Sequence, residues 1–166
     1  MPADEDQSFE DSFADIGARE IYLGTTHEDA VERVREAVTD AGFGTPTEFS
    51  PSENIREHTG EELPPTRVVG IGNPHAGKIV AEETRGDAAA LFPCNVVVQQ
   101  VGEGTQRVYH VSLPKVLERV GLAPDEPASS DAWQEALDVA GSGVEEAFET
   151  LNASEIAADG PTPADD

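Results

Sequence analysis

The segment that most constrains the fold is a run of three valines, residues 96–98, entered through Pro93 and Cys94. β-Branched residues favour strands and a proline cannot donate to a sheet ladder, so the segment predicts a buried strand that begins after Pro93. Residues 102–105 supply the glycines that a tight hairpin turn needs, and residues 107–111 predict the returning strand. An antiparallel pair is therefore predicted at the centre of the fold.

Two capping signals predict helices. Thr25 and Glu28 have the spacing in which a hydroxyl and a carboxylate bond free amides at a helix start. Apolar residues then recur at helical spacing until Gly42, the expected terminator; they are Val31, Val34, Val38 and Ala41. Asn73, an N-cap residue type, with Pro74 after it, predicts a second, short helix through about residue 83.

The other elements are predicted from shorter patterns. They are strands within residues 16–25, 43–49 and 66–72, a short helix over residues 114–120, and a last helix from about Ser130 to Leu151. The polar residues 52–65 could form one helical turn but are predicted to be mainly loop. Gly141 and Gly143 lie inside the last helix, where they indicate a kink or a close packing contact.

The main elements follow the order β-α-β-β-α-β-β-α. This order predicts an α+β fold, a mainly antiparallel curved sheet with helices packed on one face. The length of 166 residues is typical of one domain. We assign residues 16–152 to a single globular domain, between acidic tails at residues 1–15 and 153–166.

The charge restricts the environment and the partners. The chain has 34 acidic and 10 basic residues, a formal net charge of −24, and the acids are spread through every segment. Such a distribution is typical of a solvation shell suited to concentrated salt, so we expect a halophilic protein. Nucleic acid and membrane surfaces are not expected partners, because phosphate binding needs a basic patch.

Other sequence features predict a cytoplasmic protein. A single cysteine excludes a disulfide framework, and no cysteine–histidine cluster has metal-finger spacing. The first fifteen residues lack the apolar run of a signal peptide, and no window has the ~20 apolar residues of a membrane span.

Two motifs support a family resemblance. Residues 70–76 (Gly-Ile-Gly-Asn-Pro-His-Ala) and 91–98 (Leu-Phe-Pro-Cys-Asn-Val-Val-Val) resemble the domain-of-unknown-function family numbered 302. The capped helix at 28–41 and the glycine-flanked Phe43 resemble that family's opening, and the resemblance extends from about Ile21 to Leu151. Gly77 departs from the family, since a larger residue is expected there, and residues 123–129 look like a local addition.

The resemblance implies a fold but no activity. It implies a TATA-binding-protein-like sheet with helices packed on it and a tendency to form homodimers. It implies no catalytic residues, because the family has none assigned. The TATA-like fold does not imply DNA binding, since function depends on the site and the surface charge here is opposite.

Cys94, His75 and Asn73 are the first candidate site residues. Cys94 is either a thiolate whose pKa the capped helix lowers, with His75 as a possible base, or a small buried hydrophobic residue. Asn73 either orients a ligand or simply caps its helix. Alternation along a strand sends Asn95 to the opposite face from Cys94.

Asn95, Tyr109 and His110 complete the candidate ligand-binding residues. No metal site is expected, because the four histidines, at positions 27, 58, 75 and 110, have no ligand spacing. The chain has only a fragment of a phosphate-binding glycine loop, and no cofactor is expected.

Three functions remain open from the sequence. The first is a non-catalytic homodimer with a small-molecule groove near Asn73, His75 and Cys94. The second is a thiol-dependent enzyme or sulfur carrier that uses Cys94. The third is a structural or partner-binding dimer in which Cys94 is a core residue. Enzymatic activity is thus uncertain, and a binding role is favoured.

Overall fold

A computed structural model of the protein describes residues 16–158. The strands are β1 (Arg19–Leu23), β2 (Gly44–Phe49), β3 (Thr66–Gly72), β4 (Cys94–Gly102) and β5 (Thr105–His110). The helices are α1 (His27–Asp40), α2 (Pro51–Thr59), α3 (Pro74–Glu83), α4 (Leu113–Arg119) and α5 (Asp131–Ala158), with short 3-10 helices at Asp87–Leu91 and Pro127–Ser129. The predicted α+β fold is confirmed.

The strands form one open sheet in the order β1-β5-β4-β3-β2, and every neighbouring pair is antiparallel. The predicted valine hairpin forms its centre. Val98 pairs with Val108, and the turn uses Gly104 at a φ of 67°. Glycine has no Cβ to oppose this left-handed conformation, so the tight turn forms there without steric strain.

The prediction of a mainly loop segment after β2 was wrong. Helix α2 occupies Pro51–Thr59, and the Ser50 side chain caps it by accepting from the Glu53 N–H at 3.2 Å. Ser50 and Glu53 have the same spacing as the predicted cap of α1, and Pro51 fits the first helical position. The apolar pattern alone missed this helix because its buried face is minimal: Ser52 is its only buried residue.

Helix α5 continues past the predicted domain end at residue 152. It reaches Ala158, and the Glu155 carboxylate accepts from the Gly24 N–H at 2.7 Å and lies 3.4 Å from Arg33 Nη1. Residue 155 is therefore attached to the start of α1 and the end of β1. The proposed acidic tail at residues 1–15, and residues 159–166 of the second tail, lie outside the described residues.

Strand alternation gives the sheet two different faces. The face toward the helices carries Leu23, Val69, Ile71, Val96, Val98 and Val108, all of them buried. We call the opposite face the open face; it carries Tyr22, Phe49, Val68, Val97 and Tyr109. The helices thus pack on one side of the sheet, as predicted.

Two hydrophobic clusters lie under the helices. The larger joins the sheet to α1 and the second half of α5, and includes Val34, Val96 and Phe148. The smaller joins α3, α4 and the first half of α5 around the fully buried Trp133. The long helix α5 contributes residues to both clusters. A cavity lies between the two clusters and is lined by residues of each.

None of the helices within residues 16–158 combines the length and the apolarity that crossing a membrane requires.

Candidate ligand-binding site

A cavity of about 640 Å³ lies at the end of the sheet where β3 ends and β4 begins. We call it the apolar cavity. Its wall includes Phe43 and Ile71 from the larger cluster and Ala76 and Val80 from the smaller one. The other lining residues are Gly44, Thr45, Pro46, Thr47, Gly72, Asn73, Pro74, Gly77, Phe92, Pro93, Cys94, Leu113 and Ala140. Within residues 16–158, no acidic or basic side chain contributes to the wall.

Asn73 lies at this cavity and caps α3, as its sequence position predicted. Its side-chain oxygen accepts from the backbone N–H groups of His75 at 3.0 Å and of Ala76 at 3.1 Å. Two amides that a helix start would leave unpaired are thereby satisfied. The cap fixes the direction in which α3 leaves the sheet, and so fixes one wall of the cavity.

Gly70 allows β2, β3 and Pro93 to approach one another at the cavity's edge. A Cβ added at Gly70 would lie 2.7 Å from Pro93 Cγ and 3.2 Å from the Thr47 carbonyl oxygen. Real Cβ atoms do not come so close to a ring carbon, so a side chain at Gly70 would force these segments apart. Gly72, two residues later, has open space at the same position.

Cys94 is a half-buried residue that lines the apolar cavity and packs against the larger hydrophobic cluster. Burial raises the pKa of its thiol above the ordinary value, and a hydrogen bond with the Leu113 backbone opposes that shift only in part. The thiolate is therefore disfavoured. Of the two interpretations of Cys94 that the sequence left open, this direction favours the small buried hydrophobic residue over the activated thiolate.

His75 lies in the first turn of α3 but does not line the apolar cavity. Its side chain is exposed, and its Nε2 lies 2.6 Å from the Glu135 carboxylate on α5. The imidazole is thus engaged on the surface between two helices. The structure does not bring it together with Cys94 in the cavity.

Asn95 and Tyr109 lie on the open face, away from the apolar cavity. Asn95 is exposed and, as strand alternation predicts, points away from the face that carries Cys94. Tyr109 is half-buried, and the Arg107 guanidinium carbon lies 4.4 Å from the centre of its ring. Neither residue shares a site with Cys94.

His110 faces the helices but belongs to a different corner of the molecule. It is buried, and its Nδ1 lies 2.9 Å from the Asn95 carbonyl oxygen. Burial lowers the pKa of this imidazole, and the nearby charge of Arg19 lowers it further. His110 borders a second, smaller cavity rather than the apolar one.

Sequence reasoning missed most of the cavity wall. Phe43, Leu113 and Ala140 come from three distant segments, and nothing in their local patterns marks them as neighbours of Cys94. Phe92 did carry a signal, since a large apolar residue before Pro93 remains 38% exposed. Gly77 carried another, because it stands where the family resemblance implies a larger residue, and a Cβ there would meet nothing within 4 Å.

Among residues 16–158, no group of three or more histidine, cysteine, aspartate or glutamate side chains is arranged to hold a metal ion. The apolar cavity accordingly offers shape and hydrophobic contact, with the Cys94 thiol as its one titratable group.

Comparison with known proteins decides the family. The family described as "Domain of unknown function DUF302" matches residues 20–140. The chain belongs to the DUF302 family. A crystal structure of an uncharacterized conserved DUF302 protein from Bacillus stearothermophilus is similar to this chain, with a TM-score of 0.66 and 18% sequence identity. The similarity covers 82% of this chain and 98% of that one, and it supports the fold alone. No curated protein matches this DUF302 chain.

Proposed function

We propose that this DUF302 protein is a non-catalytic module that binds a small apolar molecule in the apolar cavity. The observation that carries the proposal is a cavity of about 640 Å³ whose wall is built from two hydrophobic clusters and has no acidic or basic side chain. Pockets that bind small molecules typically have volumes of about 300–1,000 Å³ and mostly apolar walls.

The wall selects the chemistry of the ligand. A charged group placed between Phe43, Ile71 and Val80 would lose its hydration without gaining a partner of opposite charge. Polar atoms occur at Asn73, Thr45 and Thr47, where they can orient one polar substituent. The preferred ligand is therefore an uncharged molecule with an aromatic or aliphatic body and at most a small polar group.

The properties of Cys94 and His75 argue against thiol catalysis as the main role. A nucleophilic cysteine needs a lowered thiol pKa or an adjacent base. Burial raises the pKa of Cys94, and His75 is hydrogen-bonded to Glu135 outside the cavity. Cys94 instead contributes a polarizable apolar surface to the wall.

A fluorescence titration tests the proposal. The uncharged probe N-phenyl-1-naphthylamine, which emits strongly in apolar surroundings, should bind with a saturable increase in emission. Gly77→Leu should weaken this binding, because the new side chain occupies the open space at that position. Gly77→Ala is the matched control: it removes the same glycine from the helix, fills little volume, and should leave binding nearly unchanged.

Two outcomes would count against the binding proposal. One is the absence of saturable emission in the folded protein. The other is equal binding by the Gly77→Leu and Gly77→Ala variants, which would place the probe outside the cavity.

We extend the proposal to a homodimer formed through the open face. Phe49, Val68, Val97 and Tyr109 are successive cross-strand partners and form an uncharged stripe across four strands, in which Val68 is buried between its neighbours and Val97 and Tyr109 are half-buried. Phe49 is 56% exposed. In a chain of net charge −24, this stripe is a surface that two copies can bring together without opposing their carboxylates directly.

Sedimentation equilibrium in molar salt tests the dimer. The unmodified protein should be dimeric, and Phe49→Glu should be monomeric because it places a carboxylate in the stripe. Val120→Glu, at a residue that is 57% exposed and lies beyond the sheet, is the control and should remain dimeric. A monomeric unmodified protein, or a dimeric Phe49→Glu variant, would refute this interface.

The acidic composition supports a salt-rich working environment, and we include in the proposal that the protein acts in the cytoplasm of a salt-adapted cell. Concentrated salt shortens the range of repulsion between its carboxylates. The compact state, with its 24 excess negative charges, is therefore more stable in concentrated salt than in dilute buffer.

A further inference from the structure

A second cavity, of about 80 Å³, lies between the start of β1, the start of α4 and the middle of α5. We call it the basic cavity. Its polar lining comes from Arg19, His110, Ser112 and Lys115, and the rest of its lining is Gly17, Pro114, Leu137, Ala140, Gly141 and Val144. Among residues 16–158 no carboxylate lines it, which is unusual in a chain with 34 acidic and only 10 basic residues.

The two cations at this cavity have no carboxylate partner among the described residues. Elsewhere in residues 16–158 the cations are commonly paired with acids, as in the ion pairs of Arg33, Arg35, Arg67, Lys78 and Arg107. Arg19 instead donates to the neighbouring Ala18 carbonyl oxygen at 3.1 Å. It also borders a groove that contains Glu145 and Glu149, yet it forms no ion pair with either. The positive charge at the basic cavity is thus left for a ligand.

His110 and Ser112 add hydrogen-bonding groups to the same cavity. Because the Asn95 carbonyl oxygen can only accept, His110 Nδ1 carries the hydrogen, and Nε2 of the neutral ring is an acceptor that can pair with a protonated ligand oxygen, such as the hydroxyl of hydrogenphosphate. Arg19 is the cross-strand partner of His110 and lines the same cavity, and its charge helps burial to lower the pKa of His110. Ser112 Oγ accepts from the Lys115 N–H at 3.5 Å, and its own hydrogen remains available to donate.

The chain is folded tightly around this corner. The Ser112 N–H donates to the Ile16 carbonyl oxygen at 2.8 Å, which ties the segment before β1 to the start of α4. Gly17, at a φ of 62°, makes the close approach possible, since a Cβ there would lie 2.8 Å from Ser112 Cβ and 3.3 Å from Lys115 Cδ. The basic cavity is therefore held by backbone contacts and not only by flexible side chains.

We propose that the basic cavity binds a small oxyanion, a phosphate or a carboxylate group. Guanidinium and ammonium groups form strong charge-assisted hydrogen bonds with both kinds of oxygen. A volume of about 80 Å³ suits a group of a few heavy atoms, given that one water molecule occupies about 30 Å³ in the liquid. This site is adjacent to the apolar cavity, with which it shares Ala140 as a wall residue, but only the basic cavity has charged groups in its lining, and the oxyanion does not depend on the ligand proposed for the apolar cavity.

The test is an NMR titration of the full chain with inorganic phosphate, and separately with acetate, at constant ionic strength. The His110 ring resonances should shift saturably. Lys115→Gln and Arg19→Gln should each weaken the binding by about tenfold, as expected for the loss of one charged hydrogen bond. Arg56→Gln changes the net charge equally at an exposed position near Glu53 and Glu62, and should leave the affinity unchanged.

The two anions distinguish the ligand class, since tighter binding of phosphate assigns the site to phosphoryl groups and tighter binding of acetate assigns it to carboxylates. Backbone amide spectra of each variant confirm that it is folded. The proposal is overturned if neither anion shifts His110 saturably. It is equally overturned if Arg56→Gln weakens binding as much as Lys115→Gln, because the effect would then be general charge screening.

Discussion

At the scale of single residues, Cys94 shows how surroundings decide the chemistry of a side chain. The thiol stands near the start of a capped helix, which favours a thiolate, and it is also withdrawn from water, which disfavours one. Withdrawal from water dominates, so the pKa is raised. The position of Cys94 beside Asn73 was predictable from sequence, whereas the direction of this shift depends on walls contributed by Phe43 and Leu113 from elsewhere in the chain.

The raised pKa gives a direct prediction for Cys94. Its rate of alkylation by iodoacetamide, followed against pH in the folded protein, should show an apparent pKa above the ordinary value of 9.0. The unfolded protein, as the control, should titrate at the ordinary value. An apparent pKa below that of the unfolded chain would instead indicate an activated thiolate and support thiol chemistry.

His110 predicts a pH dependence of stability. Because burial lowers its pKa below 6.5, the unfolded state takes up a proton first as the pH falls. Neutral His110 therefore makes its full contribution to the free energy of unfolding above pH 6.5. This contribution declines as the pH falls toward the lower pKa that His110 has in the folded state. Urea unfolding should show a steeper loss of stability below about pH 6.5 in the unmodified protein than in His110→Asn. Parallel pH profiles for the two proteins would contradict this origin.

At the scale of elements, local signals predicted helices well where a cap was combined with an apolar stripe. Helix α1 begins after Thr26, one residue later than the predicted cap, and α3 begins after Asn73 as predicted. Helix α2 was missed because its cap is present but its apolar stripe is not. The register that places His110 opposite Val96, and so away from Cys94, depends on strand pairing and could not be predicted from local sequence.

Alanine substitutions at the two glycines of α5 distinguish the effect of helix propensity on stability from the effect of packing. A Cβ at Gly143 would lie 2.7 Å from a ring carbon of Phe43, whereas a Cβ at Gly141 would meet nothing within 4 Å. Gly143→Ala should destabilise the protein by about 1–3 kcal/mol through overpacking, despite its better helix propensity. Gly141→Ala should stabilise it by up to about 1 kcal/mol.

Chemical denaturation of both variants measures these differences. Equal effects of the two substitutions would mean that Phe43 moves aside without cost. The packing contact between α5 and the segment after α1 would then not be a constraint on the fold.

At the scale of the whole molecule, the net charge of −24 opposes compaction. Screening shortens from about 10 Å at 0.1 M salt to about 3 Å at 1 M, so repulsion between carboxylates weakens across this range. The thermal midpoint should therefore rise with sodium chloride, and potassium chloride should give a similar rise if screening is the cause. A midpoint that stays level or falls with either salt would argue against adaptation to concentrated salt.

The architecture of the molecule leaves its apolar cavity between two hydrophobic clusters that one helix connects. The fold class, the central hairpin and the positions of Asn73 and Cys94 at the site were predictable from local patterns. The cavity itself was not, because it arises from the distance between two layers of packed side chains rather than from any one segment. The local indications were Gly77, which leaves its space open, and Phe92, the large apolar residue before Pro93.

The most direct test of the proposed function is protection of Cys94 by a bound apolar molecule. The rate of Cys94 alkylation should fall as N-phenyl-1-naphthylamine is added, with the same half-saturation concentration as the increase in its emission. Unfolded protein, in which the probe has no cavity, should react at an unchanged rate. Saturable emission with no change in the Cys94 rate would place the probe elsewhere on the molecule and contradict ligand binding in the apolar cavity.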